Sequence, residues 1–246
     1  MKAGGSVACV CCLLLLATAS ASDDTAAPTD ASVHWPSAYF PLATGMRWTY
    51  RERTGPVGGR RVVVTAEDRR PVRGSSTPLF VVRESGEGSF FGIEDSGLLG
   101  FAVDGDFVIR FSAVGEDSRG ELRIFGDEGL RVLPLHPEGG QHWDQEWHLF
   151  SVPGSRGAPR RFSARVERLA SVRVPAGRFG DVVKVEMRYW DPALSQDRAQ
   201  LSFEDYYAAG VGLVKSVSHN HEGGPWRTIT RVLEAYEPGG STGPPR

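Results

Sequence analysis

The chain has 246 residues, 28 of them Lys or Arg and 30 Asp or Glu, for a formal net charge of -2. So even a balance excludes the basic surface on which nucleic-acid binding depends. All three cysteines, Cys9, Cys11 and Cys12, lie close to the start, so a chain cleaved beyond them holds no disulfide, thiolate nucleophile or cysteine-bound metal.

In chain order the first element is a secretory signal peptide, residues 1–21. Lys2 provides the positive start and Val7 to Leu16 a short apolar run, well under the ~20 residues that span a bilayer. Small-x-small sites follow at Ala17-Thr18-Ala19 and Ala19-Ser20-Ala21, which places cleavage after Ala21 and the mature start at Ser22. Losing Lys2 takes the net charge from -2 to -3. A lipid anchor is the alternative, but Ser6-Val7-Ala8 before Cys9 lacks the leucine-like residue of a lipobox, and too little apolar sequence precedes it. No later run approaches ~18 apolar residues, so the expected product is not transmembrane and resides in the periplasm or outside the cell. Its lysines are Lys184 and Lys215 alone, and its dispersed arginines read as solvated strand faces.

Residues 22–33, rich in Ala, Asp, Thr and Ser, form a flexible lead-in, residues 34–236 a single β domain, and residues 237–246 a disordered tail. Inside the domain, β-branched and aromatic segments alternate with turn residues such as Gly58-Gly59, Asp104-Gly105 and Gly223-Gly224-Pro225, with no sustained 3.6-residue period. The fold class is therefore all-β, a curved antiparallel sheet or half-barrel built from sequential meanders. Strands are expected over Arg47 to Glu52, Arg61 to Ala66, Leu79 to Arg83, Ser89 to Ile93, Leu98 to Val103, Leu122 to Phe125, His142 to Val152, Phe162 to Leu169, Gln200 to Tyr207, Gly212 to Ser218 and Arg227 to Ala235. The clearest is Val183 to Tyr189, where Val183, Val185, Met187 and Tyr189 face the core and Lys184, Glu186 and Arg188 face water. Phe107, Ile109 and Phe111 repeat that pattern around Arg110.

The chain also resembles itself. Pro41-Leu42 followed by Gly45-Met46-Arg47-Trp48 returns as Pro134-Leu135 followed by Gly140-Gln141-His142-Trp143, and Phe90-Phe91 with Gly97-Leu98-Leu99 returns as Tyr206-Tyr207 with Gly212-Leu213-Val214. Two pseudo-repeats, residues 39–132 and 133–236, are expected.

One constellation carries a chemical hint. His142, Asp144, Glu146 and His148 alternate with Trp143, Gln145 and Trp147, so a strand turns all four to one face. Bases about 6.5 to 7 Å apart let at most two neighbours share a metal ion, and His219-Asn220-His221 offers a third ligand. The alternative is a charged solvent face opposite buried tryptophans. Glu94-Asp95 and Glu204-Asp205 read as surface pairs, since adjacent strand residues point apart. His34 and His136 sit beside prolines with no partner. There is no nucleophile elbow, His-Glu-x-x-His helix or phosphate loop, so no catalytic residue, metal ligand or cofactor is assigned and the ligand-binding residues are unknown.

Tyr39-Phe40-Pro41-Leu42 with Gly45 and Trp48-Thr49-Tyr50, then Val174-Pro175-Ala176-Gly177-Arg178-Phe179, then Tyr206-Tyr207-Ala208-Ala209-Gly210-Val211-Gly212-Leu213-Val214-Lys215 together resemble the TapB-like group of exported bacterial proteins of unknown function. The resemblance implies a curved sheet similar to the LolA/LolB lipoprotein carriers, whose concave apolar face receives acyl chains, and it carries over no catalytic residue. Taken on its own residues, the Gly210-Val211-Gly212 corner marks a tight turn or a close backbone approach.

The function expected is a non-catalytic binding module of the envelope for an apolar ligand or a lipidated partner. The alternatives are a structural protein that docks another envelope component and, more remotely, a metal-dependent enzyme. A binding module needs an apolar concavity of about 300 Å³ or more, and a docking protein does not. Intact mass of the exported protein is expected to match a chain beginning at Ser22, and a diacylglycerol adduct on cysteine would contradict it.

Overall fold

The computed structural model describes residues 35–54, 59–86, 97–111, 114–124, 129–148, 159–190, 201–220 and 227–239, all within the compact unit His34–Arg246. Outside the described residues lie the signal peptide and lead-in, His34, the expected strand Ser89 to Ile93 with Phe90-Phe91, Glu94-Asp95, His221, most of the tail, and the side chains of Trp147 and His148.

The described chain forms fourteen strands and no helix: β1 (Arg47–Thr54), β2 (Arg60–Arg70), β3 (Leu79–Ser85), β4 (Leu98–Asp104), β5 (Phe107–Phe111), β6 (Val114–Glu116), β7 (Leu122–Ile124), β8 (Leu130–Pro134), β9 (His142–His148), β10 (Pro159–Val174), β11 (Gly177–Trp190), β12 (Leu201–Ala208), β13 (Gly212–Asn220) and β14 (Arg227–Glu237). Twelve make one antiparallel sheet in the order β8-β5-β4-β3-β2-β1-β14-β13-β12-β11-β10-β9, while β6 and β7 pair as a separate hairpin. One meander runs outward from β1 to β8, the other inward from β9 to β14, and β1 and β14 join them. The sheet curls into a nearly closed barrel, and the expected all-β class of sequential meanders is the fold observed.

Edge strands β8 and β9 meet through a side chain. Gln145 accepts from the Arg131 amide at 2.8 Å and donates to the Gly129 carbonyl at 2.8 Å. Trp143 of β9 packs on Phe107 of β5 beside this seam, ring centroids 5.2 Å apart.

Alternation sets the faces. On β11, Val183, Val185, Met187 and Tyr189 are buried as expected and Arg188 is exposed. Lys184 and Glu186 are half-buried rather than open to water, because Glu167 pairs with Lys184 at 2.5 Å and Arg165 and Arg188 bracket Glu186. On β5 the expected phase holds at Phe107, which packs against the main core, and is lost beyond it. Val108 belongs to the main core and Arg110 lines the barrel interior, while Phe111 packs outside. The reason is a second core: Leu79, Val81, Leu98 and Ala102 on the outer face of β3 and β4 are covered by Val114 and Leu122 of the β6–β7 hairpin.

The two Pro-Leu-to-Trp stretches have the same local geometry. Gly45 and Gly140 both take positive φ, 82° and 86°, which glycine adopts without a Cβ penalty. Gly45 N donates to Ala66 O and Ala66 N to Met46 O; Gly140 N donates to Val166 O and Val166 N to Gln141 O. Trp48 and Trp143 then stand second in β1 and β9, both buried. The other correspondence does not fit that alignment, since Leu98 opens the fourth strand of its meander and Leu213 lies in the fifth strand of the other. We propose that the meanders are repeats aligned on β1 and β9, with the boundary after β8 rather than inside it. Trp48→Ala and Trp143→Ala are each expected to cost about 3 to 5 kcal/mol in chemical denaturation, as large core truncations do.

Candidate functional site

The interior face carries a polar belt. Arg60 of β2 sits opposite Glu52 of β1, Glu52 opposite Arg231 of β14, Arg231 opposite Ser216 of β13, and Ser216 opposite Asp205 of β12. Each alternates with core residues on its own strand: Glu52 with Trp48 and Tyr50, Asp205 with Phe203 and Tyr207, Arg231 with Leu233.

Arg231 is only 3% exposed. Its guanidinium reaches Glu52 Oε2 at 2.7 and 3.2 Å and both oxygens of Glu84, on β3, at 3.0 and 3.1 Å. Arg60 donates to the other Glu52 oxygen at 2.7 Å. Burial alone would make Arg231 easier to deprotonate, but hydrogen bonds and charge from Glu84 and Glu52 outweigh it and raise its pKa. Asp205 accepts from Ser216 Oγ at 2.6 Å and more weakly from Tyr207 Oη at 3.4 Å. Burial lifts its pKa above the ordinary carboxylate value, with Ser216 and the charge of Arg110 offsetting part of the rise.

Against this belt lies a cavity of about 80 Å³. Glu84, Arg110, Asp205 and Arg231 form its polar side, and its apolar walls include Trp48, Val64, Leu99, Phe101 and Leu213. The rest is closed by Phe40, Pro41 and Leu42, from the segment Trp35–Met46 that precedes β1. This segment crosses the interior: Trp35 meets Phe80, while Phe40 meets Phe101 on β4 and Tyr207 on β12. The volume falls short of the ~300 Å³ that encloses a drug-sized ligand.

The corner after β12 anchors the segment. Gly210 and Gly212 have φ of 74° and 95°. Trp48 Nε1 donates to Val211 O at 2.7 Å, Tyr50 Oη to Leu213 O at 2.8 Å, and Gly210 N to Ala38 O at 2.8 Å. A Cβ on Gly212 would meet Pro41 Cδ only at an ordinary 3.7 Å, so it is the positive φ of the tight turn that calls for glycine there. Ala176, in the Pro-Ala-Gly turn between β10 and β11, donates to Leu233 O at 3.0 Å and ties that hairpin to β14.

The described members of the histidine constellation stay dispersed. His142, Asp144 and Glu146 are exposed on β9 opposite buried Trp143, as a solvent face would be. His219 lies four strands away along the sheet, roughly 19 Å at the usual spacing, with its Nδ1 3.0 Å from Thr228 Oγ1. Among the described residues no three His, Cys, Asp or Glu side chains are placed to hold a metal ion. His136 is exposed. Asp205, read from sequence as a surface group, is buried, and so is Arg231; the pattern that marks both is a charge falling in phase with aromatic and aliphatic neighbours.

Neither a family model nor a curated protein matches the chain. Two solved structures resemble it: a candidate lipoprotein from Parabacteroides distasonis, at 11% identity and TM-score 0.47, and a candidate exported protein with a YmcC-like fold from Bacteroides fragilis, at 16% and 0.44. Each likeness covers 81% of this chain and 98% of the other.

Because burial favours the protonated Asp205, ionising it costs stability once the pH rises past its ordinary value of 3.8. Asp205→Asn, always neutral, is expected to raise the thermal midpoint at pH 7, with the gain fading as the pH falls towards 3.8.

Proposed function

We propose that the chain is an exported protein of the bacterial envelope, periplasmic or secreted, and that it acts as a non-catalytic binding module for an apolar ligand or the acyl chain of a lipidated partner. Export is supported by Lys2, the apolar run Val7 to Leu16 and the site ending at Ala21. The observation that carries the binding reading is the apolar interior of the barrel: the cavity alone is too small for a ligand, but the space beside it is filled by polypeptide that pairs as no strand. On its polar side Glu84 is paired with Arg231 and Asp205 accepts from Ser216, and the remaining lining is mainly apolar, which is the surface the space offers a ligand. The motifs that resemble those of the TapB-like group are the ones that build this part of the chain. Tyr39 to Trp48 forms the crossing segment and the start of β1, and Tyr206 to Lys215 the corner that receives it.

A second reading, docking of another envelope component, is favoured by the seam. β8 and β9 are joined by the Gln145 side chain rather than by a strand ladder, and strand edges are templates for added strands.

Native mass spectrometry of the protein purified from its own cells separates the two. Co-purification of a lipid that detergent removes is the expected result. A lipid-free protein bound to a stoichiometric protein partner would support docking instead.

A further inference from the structure

The segment Trp35–Leu42 is an unusual filling for a barrel. It contributes no strand, yet Trp35, Ser37, Tyr39 and Leu42 are buried. Trp35 Nε1 and Ser37 Oγ are both enclosed without a hydrogen-bond partner among the described residues. A permanent core seldom leaves two polar atoms of one short segment in that state, because each forfeits its hydration with no return. Besides its interior ring contacts, the segment is held by a polar cluster whose charged members are exposed. Tyr39 Oη donates to Asp181 Oδ1 at 2.7 Å, and Arg168 Nη2 reaches Asp181 at 2.5 Å and Tyr39 Oη at 2.7 Å. Both Arg168 and Asp181 are about half exposed. Asp181 itself takes φ of 47°, the only non-glycine residue with positive φ among those described. Among the described residues the backbone bond between this stretch and the corner is Gly210 N to Ala38 O, whereas Gly45 and Met46, farther on, are tied into β2 through Ala66.

We propose that Trp35–Leu42 is a displaceable occupant of an acyl-chain site: Phe40 and Leu42 stand where a hydrocarbon tail lies when the protein is loaded, and the Tyr39–Asp181–Arg168 cluster latches the empty state. This rests on the binding-module reading above and adds its regulation. The cavity is then the remainder of the site, the part the segment fails to fill. Tail entry exchanges one apolar filling for another, and release of Trp35 and Ser37 to solvent restores their hydration. Apparent affinity is reduced by the fraction of molecules whose latch is closed, so weakening the latch tightens binding with no change in the walls of the site.

The test uses the full mature chain with two probes of the same chemistry, laurate for a free fatty acid and a palmitoylated hexapeptide for a lipidated partner. Hydrogen exchange follows the Gly210 and Gly45 amides. Binding of either probe is expected to speed exchange at Gly210 at least tenfold while Gly45 stays protected, and Tyr39→Phe, which keeps the ring and removes the hydroxyl, is expected to bind about fivefold more tightly. The probe that binds identifies the source of the chain. Binding with Gly210 still protected, or with no gain in Tyr39→Phe, overturns the occupant and leaves the binding module standing. Failure of both proteins to bind either probe overturns the binding module, and this inference with it.

Discussion

A sheet of twelve strands curled on itself encloses more space than its own side chains fill. About eight strands give an interior that side chains just occupy, and sixteen or more leave a water channel. This barrel lies between those limits, and its interior shows three responses to the surplus. Aromatic groups, Trp48, Tyr50, Phe101, Phe203 and Tyr207, reach far from the wall. The Trp35–Met46 segment crosses the space as additional filling. Along one level the wall turns long charged side chains inward, where the extended Arg231 bridges β1 and β3 through Glu52 and Glu84.

That belt is better explained by specification than by stability. Replacing a buried ion triad with apolar groups of equal volume is often neutral or stabilising, whereas removing one member costs about 3 to 5 kcal/mol because a bare charge is left behind. Arg231 in particular cannot be lost without depriving Glu84 of its guanidinium and leaving Glu52 to Arg60. Because its cross-strand partners are Glu52 on one side and Ser216 on the other, a slip of one residue in β14 would turn the guanidinium to solvent and abandon both glutamates. The belt therefore pins register where the two meanders join, across β1 and β14. Tyr50 shares the level: its ring lies beneath Arg231, centroid 5.5 Å from the guanidinium carbon, and burial first of all drives its pKa upward.

Much of the fold is visible in strand alternation, and the failures have physical causes. Val183 to Tyr189 reads correctly because β11 has one apolar and one charged face. Phe107 to Phe111 misleads because the β6–β7 hairpin makes the outer face of β3 and β4 apolar as well, so that hydrophobicity no longer tells inside from outside at β5. Asp205 and Arg231 were legible only in phase: in Phe203-Glu204-Asp205-Tyr206-Tyr207, the buried aromatics at positions 203 and 207 place position 205 inside with them. The rule that charges face water fails in a barrel wide enough to bring several of them together. Trp35 to Leu42 has no strand or helix period at all, and its burial follows from the width of the barrel, which no local pattern records.

The seam between β8 and β9 is where the same width meets the need to leave no edge. An amide side chain carries an acceptor oxygen beside N–H donors, as a backbone peptide carries one of each, and Gln145 offers its oxygen to Arg131 N and an N–H to Gly129 O on either side of Leu130. That is the pair of bonds a residue on an added strand would make to β8. Satisfying the edge in this way costs β9 none of its own pairing with β10, which runs from His142 to His148. Among the described residues β8 and β9 share no ladder, where every other neighbouring pair in the sheet has one. The Trp143 and Phe107 rings pack 5.2 Å apart beside this junction, and apolar surface near a hydrogen bond lowers the local dielectric and strengthens it.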